Sequence, residues 1–109
     1  MNYTKKERGQ YNEQRQAKCE RLGISKTDYN YFRDEGEKLR KVFENNCNGL
    51  YTEDGQAEEA EKPVLTRLQA RAKKLGLYLF IQGDCRGATV YVDRVAIPED
   101  NYTQAVCIY

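Results

Sequence analysis

The stretch LGLYLFIQGDCRGATVYVDR, Leu75 to Arg94, decides the fold, because within it the spacing of apolar residues changes from helical to alternating. After Gly76, Leu77, Leu79 and Ile81 fall on one face and Tyr78, Phe80 and Gln82 on the other, the two-residue period of a half-buried strand. Thr89 to Val95 reads as its antiparallel partner. Between them, Asp84 suits the first position of a type I turn and Gly87 the left-handed position that makes a G1 bulge. Turn chemistry explains those two residues but not Arg86. Its guanidinium points either to solvent or back onto a carboxylate, an aromatic face or a helix C-terminus. Arg86 and Asp84 are therefore candidate partner contacts. A final run, Thr103 to Tyr109, follows the turn IPEDN and can add a third strand.

Upstream of this stretch the text is helical. From Thr4 to Leu22 apolar positions are sparse, namely Tyr11, Ala17, Cys19 and Leu22, and Gly23 is a stop signal. Lys5, Lys6, Arg8, Arg15, Lys18 and Arg21 stand against Glu7, Glu13 and Glu20, a local excess of three positive charges. Residues 1–23 thus read either as a packed helix or as a loosely attached basic arm, with Arg15 and Lys18 as candidate contacts for a partner. The next helix opens with Ser25 as N-cap and Asp28 three residues on. Tyr29, Phe32, Gly36, Leu39 and Phe43 recur at spacings of three and four, which puts them on one buried face. Gly36 in mid-helix costs about 1 kcal/mol relative to alanine, so another element is expected to cross close to it. Tyr31 lies off that face, and the core stripe does not account for it. The segment LYTEDGQAEEAEK reads as an acidic loop, followed by a third helix with Pro63 in its first turn and Val64, Leu65, Leu68, Ala72 and Leu75 on its buried side. Helices first and a small antiparallel sheet of two or three strands last define an α+β fold, with 1–109 as a single domain.

Composition excludes several classes of function. The formal net charge is +1, so the whole molecule has no pull toward nucleic acid or an anionic membrane, and any steering is local. The opening MNYTKKERGQYNEQRQ has no apolar stretch after its basic residues, and no run is long enough to span a bilayer; the expectation is a cytosolic chain without membrane contact. With no histidine, the usual Ser/His/Asp and Cys/His nucleophiles cannot be assembled, and Cys19, Cys47, Cys85 and Cys107 lack the spacing of a zinc site. They read as four free thiols. The sequence therefore points to no catalytic residues, no metal and no cofactor. Nucleic-acid binding has its ingredients in the basic first helix and nine tyrosines. A protein-binding module has them too, since tyrosine and arginine are enriched at interfaces. Homo-oligomerisation through residues 4–22 would use the same features.

Three segments in order, YNYFRDEGEKLRKVFENNCNG, LGLYLFIQGDCRGATVYVD and IPEDNYTQAVCIY, resemble a group of small tailed-bacteriophage proteins, most of them without an assigned function. The resemblance runs from about Ile24 to Tyr109. In that group the hairpin commonly reads Asp-Pro-Arg-Gly; here Cys85 replaces the proline, and Gly83 stands where threonine is usual, which makes the turn less rigid. The resemblance implies a phage product made in the cytoplasm of an infected bacterium. Small phage proteins without catalytic apparatus often occupy a surface on a host protein complex, anti-defence inhibitors such as anti-CRISPR proteins among them. A non-catalytic binding protein is the reading that follows, with a nucleic-acid-binding accessory protein as the alternative.

Overall fold

The computed structural model of the chain describes residues 4–84 and 87–109. Three helices, α1 (Lys5–Leu22), α2 (Lys26–Cys47) and α3 (Gln56–Leu75), precede an antiparallel sheet of β1 (Tyr78–Asp84), β2 (Gly87–Asp93) and β3 (Val106–Cys107), in the order β1-β2-β3. The fold is α+β. Arg86, the candidate contact at the hairpin tip, and Cys85 beside it lie outside the described residues.

Each helix has a local reason to begin. Thr4 and Glu7 form a reciprocal capping box at α1, and the Ser25 side chain accepts the Asp28 N–H at α2. α2 is the central helix and lies across β2. Its Tyr29, Phe32 and Leu39 are buried with Leu22, Leu68, Val90 and Val92 in one core. Gly36 permits this approach: a Cβ there would sit 3.0 Å from Val90 Cγ2 and 3.2 Å from Tyr109 Cβ, so the close crossing expected from the sequence is present.

The structure differs from the sequence reading in four places. α3 starts at Gln56, and Pro63 lies inside it rather than in its first turn. The run GlnAlaGluGluAlaGluLys is made of good helix formers, with Glu58 and Glu59 near the positive end of the dipole, and this outweighs the one backbone donor that proline removes. β2 begins two residues earlier than expected, because Gly87 pairs directly with Asp84. Only residues 85 and 86 separate the strands, and there is no bulge at Gly87. β3 is short because Glu99–Gln104 forms a 3-10 turn in place of extended chain. Finally, Cys19 and Cys107 are free thiols, but Cys47 is in a disulfide. The expectation of four free thiols fails there, because separation along the chain says nothing about approach in space.

α1 is docked on the body through its second half. Leu22 and Cys19 are buried, Lys18 Nζ donates to the Cys107 carbonyl at 2.8 Å, and Arg21 pairs with Asp93 at 2.9 Å. The most economical device in the fold is Arg94. Its Nε donates to Leu22 O at 2.6 Å, its Nη1 to Leu75 O at 2.6 Å and its Nη2 to Gly23 O at 3.4 Å. One guanidinium thus closes the C-termini of both α1 and α3. Gly23 and Gly76, left-handed at φ 67° and 70°, form the two C-caps, and a side chain on either would crowd that guanidinium.

Candidate binding surface

The layer of helices leaves α2 with one face on the sheet and one turned outward between α1 and α3. On the α1 side, Arg15 donates to Asn12 Oδ1 at 2.9 Å and to Asn30 Oδ1 at 3.2 Å, and its guanidinium lies 5.4 Å from the Tyr11 ring centroid. Arg33 approaches the same ring to 6.0 Å and donates to the Tyr11 hydroxyl at 2.6 Å. That hydrogen bond is the main reason the Arg33 guanidinium is held even more firmly charged than usual. On the α3 side, Arg71 lies 4.0 Å over the Tyr31 ring and donates to Asp28 Oδ1 at 2.7 Å. Burial pushes the Asp28 carboxyl up, but the hydrogen bonds from Arg71 and Ser25 outweigh it and bring it below the usual range.

Beneath this surface sits the buried carboxylate of Glu35, its side chain 5% exposed, held by Lys38 Nζ at 2.9 Å and Arg67 Nε at 2.7 Å. Burial alone would raise its pKa; the two cations reverse the sign and hold it below the ordinary glutamate value. A carboxyl whose pKa is lowered on folding contributes stability above its unfolded pKa, and the contribution fades as pH falls through the folded value. Glu35→Gln is therefore expected to destabilise the protein by about 1–2 kcal/mol at pH 7, less than a fully buried pair would cost because both cations are partly exposed. Urea unfolding of the two proteins from pH 7 to pH 3 should show the difference shrinking toward acid.

The structure distributes the residues singled out in the sequence. Tyr31 is half-buried under Arg71 rather than open to solvent. Arg15 ties α1 to α2 through Asn30, and Lys18 ties α1 to β3. Asp84 ends β1 in a shallow cleft of about 450 Å³ that also meets Arg40 and Tyr109. Among the described candidates only Arg15 and Tyr31 share the outward helical surface. Tyr11, Arg33 and Arg71, which complete it, were not singled out: Arg71 meets Tyr31 across 40 positions of chain, and no local pattern encodes that meeting. A second aromatic group covers the outer face of the sheet. Tyr102, from the 3-10 turn, stacks on Phe80 at 4.9 Å and meets Tyr91 edge-on at 5.1 Å.

No protein-family model, curated protein or solved structure matches the chain. Among the described residues no helix is long and apolar enough to cross a membrane, and no group of acidic and cysteine side chains is placed to hold a metal ion.

Proposed function

We propose that this chain is a phage-encoded, non-catalytic binding protein that acts in the cytoplasm of its bacterial host by occupying a surface of a host protein complex, in the manner of an anti-defence, anti-CRISPR-like inhibitor. The origin and setting come from the resemblance of its three segments to small tailed-phage proteins. The observation that carries the binding reading is the outward helical surface, where Arg15 lies over Tyr11 and Arg71 over Tyr31, both already ordered by Asn12, Asn30 and Asp28, and Arg33 is tied to the Tyr11 hydroxyl. Tyrosine and arginine are enriched among the few residues that carry most of the binding energy at protein interfaces, and ordering them in advance lowers the entropic cost of association.

The nucleic-acid reading draws on the same basic helix, but half of that helix's cations already have partners within the chain. Arg15 holds two asparagines, Lys18 a carbonyl and Arg21 a carboxylate. Lys5, Lys6 and Arg8 remain for phosphates.

The test is capture from lysate of phage-sensitive bacteria, with and without nuclease, by the wild type and by Tyr31→Ala. Expected is one host complex, retained stoichiometrically after nuclease, and a loss of at least about tenfold in its affinity for the variant, as for one interface tyrosine, with unchanged circular dichroism. Recovery of nucleic acid alone, lost on nuclease treatment and falling steeply with salt, would replace this reading by the nucleic-acid one. Equal capture by the variant would remove Tyr31 from the surface.

A further inference from the structure

The edge of the sheet at β1 is open, and its hydrogen-bonding phase follows from one bond on the other side of the sheet. Ile108 N donates to Val90 O at 2.9 Å, so the backbone groups of Val90 and Val92 point toward β3. Those of Thr89, Tyr91 and Asp93 then point toward β1, where they pair with Gln82, Phe80 and Tyr78. The N–H and C=O groups of Leu79, Ile81 and Gly83 are left facing away from the sheet, and no described residue bonds to them. An edge of this length is normally protected by lysine, proline or a bulge. From Tyr78 to Gly83 this strand has no charge, no proline and no bulge. Below it, Leu79 and Ile81 are only half-buried, as is Leu65 on the flank of α3 about 200° round from Arg67.

We propose that two copies of this chain associate through β1, antiparallel, with Ile81 on the two-fold axis, to make one continuous six-stranded sheet. The occupant is a second copy because the edge is complementary to itself. With Ile81 opposite Ile81 of the second copy, Leu79 falls opposite Gly83, and every outward N–H and C=O of the three residues finds a partner. On the outer face the same register sets Phe80 against Gln82 and the Tyr78 side chain against the Asp84 carboxylate, so no like charges meet. On the inner face it closes the half-buried Leu79 and Ile81 of both copies against each other. The dimer would carry both Phe80, Tyr91 and Tyr102 clusters on one face, and it leaves the outward helical surface of α2 free. It does not use residues 4–22.

The register makes a sharp test. Sedimentation equilibrium of the wild-type chain is expected to give twice the chain mass at micromolar concentration. Ile81→Lys and Ile81→Glu each place like charges against each other on the axis, while a side chain at this half-exposed edge position can still reach water. Each variant is expected to be monomeric, with a dissociation constant raised at least about tenfold and an unchanged helical circular dichroism spectrum. An equimolar mixture of the two is expected to restore the dimer. A wild type that stays monomeric to 100 micromolar (a threshold of about that order suffices for a specific interface) would overturn the proposal and leave the edge to an extended segment of another protein. Dimers that persist in both single variants would overturn it in favour of another surface, and a mixture that fails to associate would rule out Ile81 as the axis. If either variant loses its fold, Tyr78→Glu, at an exposed position of the strand, replaces it: the register sets it against Asp84 of the second copy, so it is expected to be monomeric, and a dimer that persists would overturn the register.

Discussion

Phe32→Ala is expected to lower the free energy of unfolding by about 3–5 kcal/mol, the range for removing a fully buried phenylalanine. Phe32 has no exposed surface and is the largest side chain of which that is true. It stands on the α2 face that crosses β2, so its removal opens a cavity where the helical layer meets the sheet, and the neighbours Leu39, Val90 and Val92 are themselves fully buried and cannot turn outward to fill it. A domain of this size commonly has only about 5–15 kcal/mol in all. The midpoint of thermal unfolding should fall by more than about 10 °C, measured by circular dichroism at 222 nm (a wavelength of roughly this value reports helix content). A loss under about 1 kcal/mol would mean that the site collapses freely and that α2 is not the keystone of the core.

Arg94→Ala should have the second largest effect, a loss of about 2–3 kcal/mol. No apolar burial is involved. Three carbonyl oxygens at the ends of two helices, Leu22 O, Gly23 O and Leu75 O, lose a charged donor at once, and α1 and α3 lose the link that holds their C-termini to the end of β2. Arg94→Lys is expected to recover less than half of the loss, because one ammonium cannot reach both helix ends as the forked guanidinium does. Hydrogen exchange should locate the damage: protection of the last turns of α1 and α3 falls in Arg94→Ala more than protection of α2. A uniform fall would instead mark Arg94 as an ordinary contributor to global stability.

Much of this architecture is legible in the residues because its causes are local or periodic. The stripe Tyr29, Phe32, Gly36, Leu39 and Phe43 announces a helix with one buried face, and the structure buries the first four and leaves Phe43 half-buried. The alternation from Leu77 to Gln82 announces β1, whose partner, Gly87–Asp93, pairs with it throughout. Where local rules compete, the weaker rule was misleading. Pro63 suggests a helix start, but the helix-forming run before it extends α3 back to Gln56. The hydrophobic tail from Thr103 suggests a strand, but only Val106–Cys107 meets β2, since Glu99–Gln104 turns tightly to bring Tyr102 over Phe80.

The binding surface was legible only in part. Tyr31 is conspicuous because it lies off the core face of its helix, and Arg15 because it stands in a basic helix. Their settings come from residues far along the chain: Arg71 for Tyr31, Asn30 for Arg15. The same holds for the arginine question posed by the hairpin. An arginine that turns back onto helix C-termini does exist among the described residues, and it is Arg94, ten positions beyond the hairpin's Asp84. Nothing near Arg94 in the chain marks it out, because its partners are two glycine-capped helix ends that come together only when α1 and α3 each pack against α2.

By itself, then, the sequence determined that the chain makes three helices and a late antiparallel hairpin, and which face of α2 is buried. These follow from composition, caps and periods, which act over a few residues. Only the tertiary structure decided that Arg94 joins two helix ends, that Glu35 is a buried anion held by Lys38 and Arg67, that Arg71 lies on Tyr31, and that the β1 edge is left open with Leu79, Ile81 and Gly83 facing outward. Each of these depends on which backbone groups and charges are brought within a few ångströms of one another, and distance in space is a property of the packed chain, not of spacing along it.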